Sequence, residues 1–291
     1  DQTLEEKEVK IDERTFQMFI TPVLGKDETR KIIGTSILLH DITLEKNLAD
    51  LKEDFTNMMV HELRAPLTAI KDSSELMLEN KLPKDETENL LKIVNNQSKM
   101  LLEQIANVLD AAKIEARKFI VNKQIGQLEG LIEEVVKTFL PVAAKKQILL
   151  TSQIEPLPKI AYDELHIREV LNNLLSNSLK FTKEDGKIKV SARNLKDFIE
   201  VSVSDTGIGI PKDKQKDVFE KFYRVETRPA GSGGAIGSGL GLYIVKGIVE
   251  AHRGNVSLVS EEGKGTTVSF TLPVTAESAF ENLKRPFKTL N

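Results

Sequence analysis

Glycine is spread very unevenly along this chain, and that limits its architecture more than any other feature. Thirteen of the 17 glycines lie between Gly186 and Gly265, and none lies between Gly34 and Gly126. Glycine and proline are the main breakers of regular structure. The glycine-free stretch of 91 residues holds only two prolines, Pro66 and Pro83. Long helices are expected there, and tight backbone turns around a ligand are expected in the glycine-rich part.

Hydrophobic spacing refines this division. Residues 15–23 and 31–40 are rich in β-branched and aliphatic side chains and read as strands. About 40 residues make a poor independent domain, so this part is expected to be the end of a larger one, or a strand cap. From Leu44 the period becomes helical: Leu44, Leu48, Leu51, Phe55 and Met58 are spaced 4, 3, 4, 3. A second stripe (Leu63, Leu67, Ile70, Ser74, Met77) runs one residue out of step, and Pro66 just after the slip favours a kink. The segment Lys81–Lys84 closes that helix, and another follows with Leu90, Val94, Leu101, Ile105, Val108 and Ala112 on one face. Such a hairpin leaves apolar seams on both arms. Pairing two hairpins into a four-helix bundle would bury them, so a homodimer is expected.

Beyond about Phe119 the pattern is mixed. Helices are expected at 128–146, 163–180 and 239–252, and strands at 147–153, 187–193, 198–204, 255–260 and 266–272. This alternation implies an α/β layer domain. Residues 276–291 read as a tail.

Composition excludes several function classes. With no cysteine, thiolate catalysis and sulfur-bound zinc are ruled out. Lys and Arg number 41 against 44 Asp and Glu, a near balance that gives no reason to expect nucleic acid. No apolar run exceeds four residues (Leu242 to Val245), whereas a spanning helix needs about 20. A cytoplasmic location is expected, with any membrane anchor confined to segments upstream of Asp1.

Four segments carry candidate chemistry. On the 163–180 helix, Asn173, Asn177 and Lys180 follow i, i+4, i+7 beside an apolar stripe. Carboxamide oxygens and an ammonium on one line suit Mg²⁺ and phosphate, although alone they are equally a solvated polar face. The strand 198–204 runs into Asp205-Thr206-Gly207-Ile208-Gly209. A carboxylate there can accept from an amine such as that of adenine, and an Asx turn is the plainer reading. Gly237-Ser238-Gly239-Leu240-Gly241 opens a helix, so free N–H groups and a positive dipole end could face phosphate. A flexible linker has the same composition. Finally, His61 lies about 200° round the helix from the Leu63 stripe and should face water. A neutral, exposed imidazole is a competent nucleophile, and Glu62 could hold its Nδ1 proton. An ordinary surface His-Glu pair is the alternative. His40, His166 and His252 read as structural, with His252 a cation at a helix C-terminus.

Together, HELRAPL, LNNLLSNSLKFT, DTGIGIP, VFEKFYR and GSGLGL stand in one order that resembles the sensor histidine kinase family, over about residues 44–274. The end of the leading strands, His40-Asp41-Ile42-Thr43, resembles more weakly the close of a PAS domain. The resemblance implies a multidomain α + α/β fold. An antiparallel helical hairpin forming a dimeric four-helix bundle (44–119) would precede an α/β sandwich of the histidine-kinase/gyrase ATPase type (120–275), with residues 1–43 as the PAS remnant. It implies His61 as phosphoacceptor with Glu62 assisting, and Asn177 as the Mg²⁺ ligand with Asn173, Lys180 and Phe181 beside the nucleotide. Asp205 would read the adenine amine in a pocket shaped by Gly207 and Gly209. Tyr223 and Arg224 would meet the nucleotide, and Gly237, Gly239, Leu240 and Gly241 would form the phosphate-side loop. ATP and Mg²⁺ are the implied cofactors, and a homodimer and a response-regulator receiver domain the implied partners. An ATPase of the gyrase or chaperone type, or a nucleotide-binding scaffold, is the alternative. Ser178 stands where the family often has Ala, with no consequence expected.

Ala65 stands four residues after His61, where many relatives carry Thr or Asn to help dephosphorylate the regulator. Alanine cannot position a water, so purified protein with ADP is expected to release phosphate from a phosphorylated regulator only slowly. Rapid release would show this reading wrong.

Overall fold

The computed structural model describes residues 5–24, 32–79, 82–223 and 239–274, with nothing said of the side chains of Leu51, Asp54 and Met58. The chain divides into two compact units, residues 1–62 and 63–291.

In the first unit, β1 (Glu5–Ile11), β2 (Arg14–Leu24) and β3 (Ile32–Asp41) form an antiparallel meander. β2 and β3 lie where the aliphatic runs place them. β1 gave no such signal, because five of its seven residues are charged; its pairing with β2 makes it a strand. β3 leads directly into helix α1 (Thr43–Glu79). The Asp41 carboxylate accepts from the Thr43 N–H at 3.0 Å and from its hydroxyl, while the Thr43 hydroxyl oxygen accepts from the Thr15 N–H at 2.9 Å. The hydrogen bonds from Thr43 hold the Asp41 carboxyl below its usual range. Helix α1 continues through Pro66 as one element.

The second unit contains the rest of α1, helix α2 (Lys84–Glu115) and the α/β layer fold. A five-stranded sheet runs β5 (Leu149–Ile154), β7 (Lys187–Asn194), β8 (Phe198–Asp205), β10 (Gly265–Pro273), β9 (Val256–Glu261). The β5–β7 pair is parallel and the others antiparallel. A small ribbon pairs β4 (Gln124–Gly126) with β6 (Ile160–Tyr162), two strands too short to show a hydrophobic alternation in sequence.

Helices α3 (Leu128–Lys145), α4 (Glu164–Phe181) and α5 (Gly241–Ala251) form the second layer: α3 packs on β5, α4 on β8, and α5 on β9 and β10. Strand β7 alternates as a half-buried strand should, with Ile188, Val190 and Ala192 inward. The apolar stripe of α4 (Ile167, Val170, Leu171, Leu174, Leu175) is buried in the same core. Burial of each such side chain contributes about 1.5–3 kcal/mol, so that stripe fixes which face of α4 is left to carry Asn173 and Asn177.

His252 is fully buried just past the end of α5. Its Nε2 accepts the Asp163 N–H at 3.0 Å, and its Nδ1 lies 2.8 Å from the Ile248 carbonyl, to which it donates. That pairing fits only the neutral ring, since a proton on Nε2 would face another N–H. The expectation of a cation here is therefore corrected: the ring is a structural cross-brace. Burial is the chief cause that lowers its pKa below the ordinary value. As pH falls below about 6.5 the unfolded chain takes up the proton before the folded chain does, so stability is full above that value and falls below it. The melting temperature is expected to decline from pH 7 to pH 5 more steeply in the unaltered chain than in His252→Gln. Equal declines would sink this assignment.

Candidate functional site

Asp205 ends β8, and its carboxylate ties three elements together. One oxygen, Oδ1, accepts from the Gly207 N–H at 2.9 Å and the Thr266 N–H at 3.3 Å; Oδ2 accepts from the Ser178 hydroxyl at 3.1 Å. These bonds join α4, the turn after β8 and the start of β10. Burial raises the Asp205 carboxyl above its usual pKa, and the three hydrogen bonds offset part of that cost. An ionised carboxylate accepts at about four positions, which leaves one on Oδ2 for a further N–H donor. Ser178 therefore has a consequence that its place in the motif did not reveal. Nothing in the sequence signals it, because Ser178 and Asp205 are 27 residues apart.

The turn after Asp205 is pinned from both sides. The Ile208 N–H donates to the Phe181 carbonyl at 3.3 Å, and the Gly263 N–H donates to the Ile208 carbonyl at 2.7 Å. Gly209 has φ +68°, and a Cβ there would stand 2.0 Å from the Glu261 carbonyl oxygen; no other residue fits without moving backbone. Gln215 adds a lock that sequence reading missed: its Nε2 donates to the carbonyls of Ile210 and Ser260 at 2.8 and 2.9 Å.

Asn173, Asn177 and Gly241 come together. Asn173 donates through Nδ2 to the Glu169 carbonyl at 3.1 Å, and a Cβ on Gly241 would lie 2.9 Å from Asn173 Oδ1 and 3.9 Å from Asn177 Nδ2. The start of α5 thus sits directly over the asparagine face of α4. Among the described residues no side-chain hydrogen bond caps α5, and the N–H groups of a helix's first turn suit an anion. Gly239 accepts from the Phe222 N–H at 3.2 Å, and Leu240 is buried beneath the turn. Lys180 Nζ lies 5.4 Å from the Phe181 ring centre, at the same end of α4. Tyr223, whose N–H donates to the Glu220 carbonyl at 3.3 Å, has its phenol pushed up chiefly by burial. Arg224 and Gly237 lie outside the described residues. One turn before Asn173, Glu169 is half-buried, and burial followed by the Asp110 carboxylate pushes its carboxyl up to about 7.

In the other unit, His61 is exposed on α1, as its helical phase predicts, and Glu62 beside it is half-exposed.

Two family models match this chain. Residues 51–117 match the His Kinase A (phospho-acceptor) domain, and residues 162–276 match the histidine kinase-, DNA gyrase B- and HSP90-like ATPase. Drug sensory protein A of Synechocystis sp. is 36% identical over 274 residues, covering 90% of this chain and 41% of that protein. The chain spans less than half the length of the first curated relatives it matches. Full-length ShkA in complex with AMPPNP superposes with a TM-score of 0.58 at 28% identity, over 77% of this chain and 46% of ShkA. Histidine kinase ThkA in complex with the response regulator protein TrrA shares the fold with a TM-score of 0.51 at 23% identity, over 94% of this chain and 79% of ThkA.

Ser178→Ala removes one of three donors to Asp205. Affinity for a non-hydrolysable ATP analogue is expected to fall about tenfold, or about 1.4 kcal/mol; calorimetry showing unchanged affinity would rule out this role for Ser178.

Proposed function

The chain belongs to the sensor histidine kinases, and we propose that it transfers the γ-phosphoryl group of ATP to His61 and then to an aspartate of a response-regulator receiver domain. The observation that carries the reading is the convergence of the Asp205 acceptor, the Asn173–Asn177 face and the start of α5, with an exposed histidine on a helix matched by a phospho-acceptor model. Asp205 offers its remaining acceptor position to the adenine amine. The N–H groups of α5 and Lys180 face the phosphates. The residues fit Mg²⁺ too: the Asn177 carboxamide beside the start of α5 could hold the ion, whose charge would offset that of the phosphates. His61 Nε2 attacks the γ-phosphorus in line as the bond to the β-phosphate oxygen breaks, and ADP leaves. Glu62 holds the Nδ1 proton, so that the attacking nitrogen keeps its lone pair.

A homodimer fits the surface of the helical segments, where Leu67, Leu78, Leu91, Leu102, Ile105 and Leu109 are exposed. A monomer would leave that apolar area in water. We place the phosphotransfer hairpin at 44–119 and the ATP-binding domain at 120–275. The meander of residues 5–41 is consistent with the close of a PAS domain. Among the described residues no helix is long and apolar enough to cross a membrane.

Incubation with γ-labelled ATP and Mg²⁺ is expected to give an acid-labile, base-stable label on the chain, absent in His61→Gln. Steady phosphate release without label would point instead to an ATPase, and neither result to a nucleotide-binding scaffold.

A further inference from the structure

The end of α2 is packed against the nucleotide fold. Ile114 fills the space a side chain at Gly247 would need, 2.5 Å from that Cβ position, and Lys221 pairs with Glu115 at 2.7 Å. One turn earlier, Asp110 reaches α4. There the ligand-bearing atoms of Asp110, His166 and Glu169 lie within 4.8 Å of one another, all three residues half-buried. The kinase chemistry uses none of them.

We infer that Asp110, His166 and Glu169 form a binding site for a divalent transition-metal ion that bridges α2 to α4. An imidazole with two carboxylates is a donor set suited to Zn²⁺ and poorly suited to Mg²⁺, which takes oxygen ligands. The imidazole is already oriented. His166 Nδ1 lies 2.9 Å from Asp163 Oδ2, and the Phe119 ring stands edge-on at 4.8 Å between centres. Asp163 is itself fixed, because it accepts from the Asn122 N–H at 2.7 Å and the His166 N–H at 3.2 Å. The Asp163 carboxylate stands beside Nδ1 without an aligned hydrogen bond to it, and an imidazole with a carboxylate beside one nitrogen can offer the other to a metal.

Charge points the same way. Asp110 and Glu169 bring two carboxyl groups into one half-buried place, with Glu103 of α2 adding to the negative field. Lys113 pairs with Asp110 Oδ1 at 2.7 Å, but its side chain is 56% exposed and can swing into water. Donors about 2.1 Å from a tetrahedral ion stand about 3.4 Å from each other; side-chain rotation of the two acids closes the present spacing. A cleft of about 480 Å³, lined by Asn122, Tyr162, Asp163 and His166 among others, opens beside the imidazole. A bound ion would fasten the end of the phosphotransfer hairpin to the helix that carries Asn173 and Asn177. This inference stands apart from the kinase reading, since it concerns neither His61 nor the nucleotide.

Titration of the metal-free full chain with zinc chloride is expected to show one ion per chain. Affinity should fall about tenfold or more in Asp110→Asn, His166→Gln and Glu169→Gln, with binding of the ATP analogue retained as evidence of folding. Unchanged affinity in the three variants would overturn the site. Loss in the two α4 variants but not in Asp110→Asn would overturn the bridge. X-ray absorption at the zinc edge of the unaltered protein needs no variant: one imidazole with oxygen neighbours is expected, and none or several would refute the assignment.

Discussion

The nucleotide fold depends on a single half-buried carboxylate. Asp205 closes β8, and its two oxygens collect one hydroxyl and two backbone donors from α4, the following turn and β10. Burial works against the charge, and the hydrogen bonds repay only part of that cost. A carboxylate in this state can take an added donor, and on the proposed reading that donor is the adenine amine. The same bonds set the height of the Asp-Thr-Gly-Ile-Gly turn above the sheet. Gly209 then lets the Glu261 carbonyl come closer than any side chain would allow.

Around this anchor the fold sorts its helices by what they bury. The apolar stripe of α4 is driven into the sheet, so its polar line is presented to the start of α5 by default and not by any attraction of its own. Gly241 permits the close approach, which brings the first turn of α5 to the asparagine face. His252 braces the far end of α5 to the start of α4 through a neutral imidazole. The two helices are thus held at both ends, which preorganises the face between them.

Helix α2 adds a second kind of constraint. Its last turns lie on α5 through the Ile114–Gly247 contact and on the segment after β8 through the Glu115–Lys221 pair. The ion pair is half exposed and contributes little by itself; the buried aliphatic contact is the stronger part. Asp110, His166 and Glu169 lie on the same seam. A change in the occupancy of that cluster would therefore act on the fit of helix against domain, the kind of local charge event that biases a packed interface.

Much of this was legible in the chain of residues. The 3.6-residue stripes located α1, α3 and α4 to within a residue or two, and α2 by its apolar face from Leu90 to Ala112, since each helix buries one face. The glycines marked the turns at Gly207, Gly209 and Gly239–Gly241, since only glycine tolerates those approaches. Strands β1, β4 and β6 were not legible, because one is highly charged and two are three residues long; only pairing makes them strands. Residue order likewise determined which motifs exist and that His61 faces water, because helical phase alone decides it. Tertiary structure decided that Ser178 serves Asp205, that His252 is neutral, that Gln215 locks a turn, and that Asp110 meets His166 and Glu169. Each of those depends on side chains from distant segments meeting in a desolvated place, and no local pattern records such a meeting.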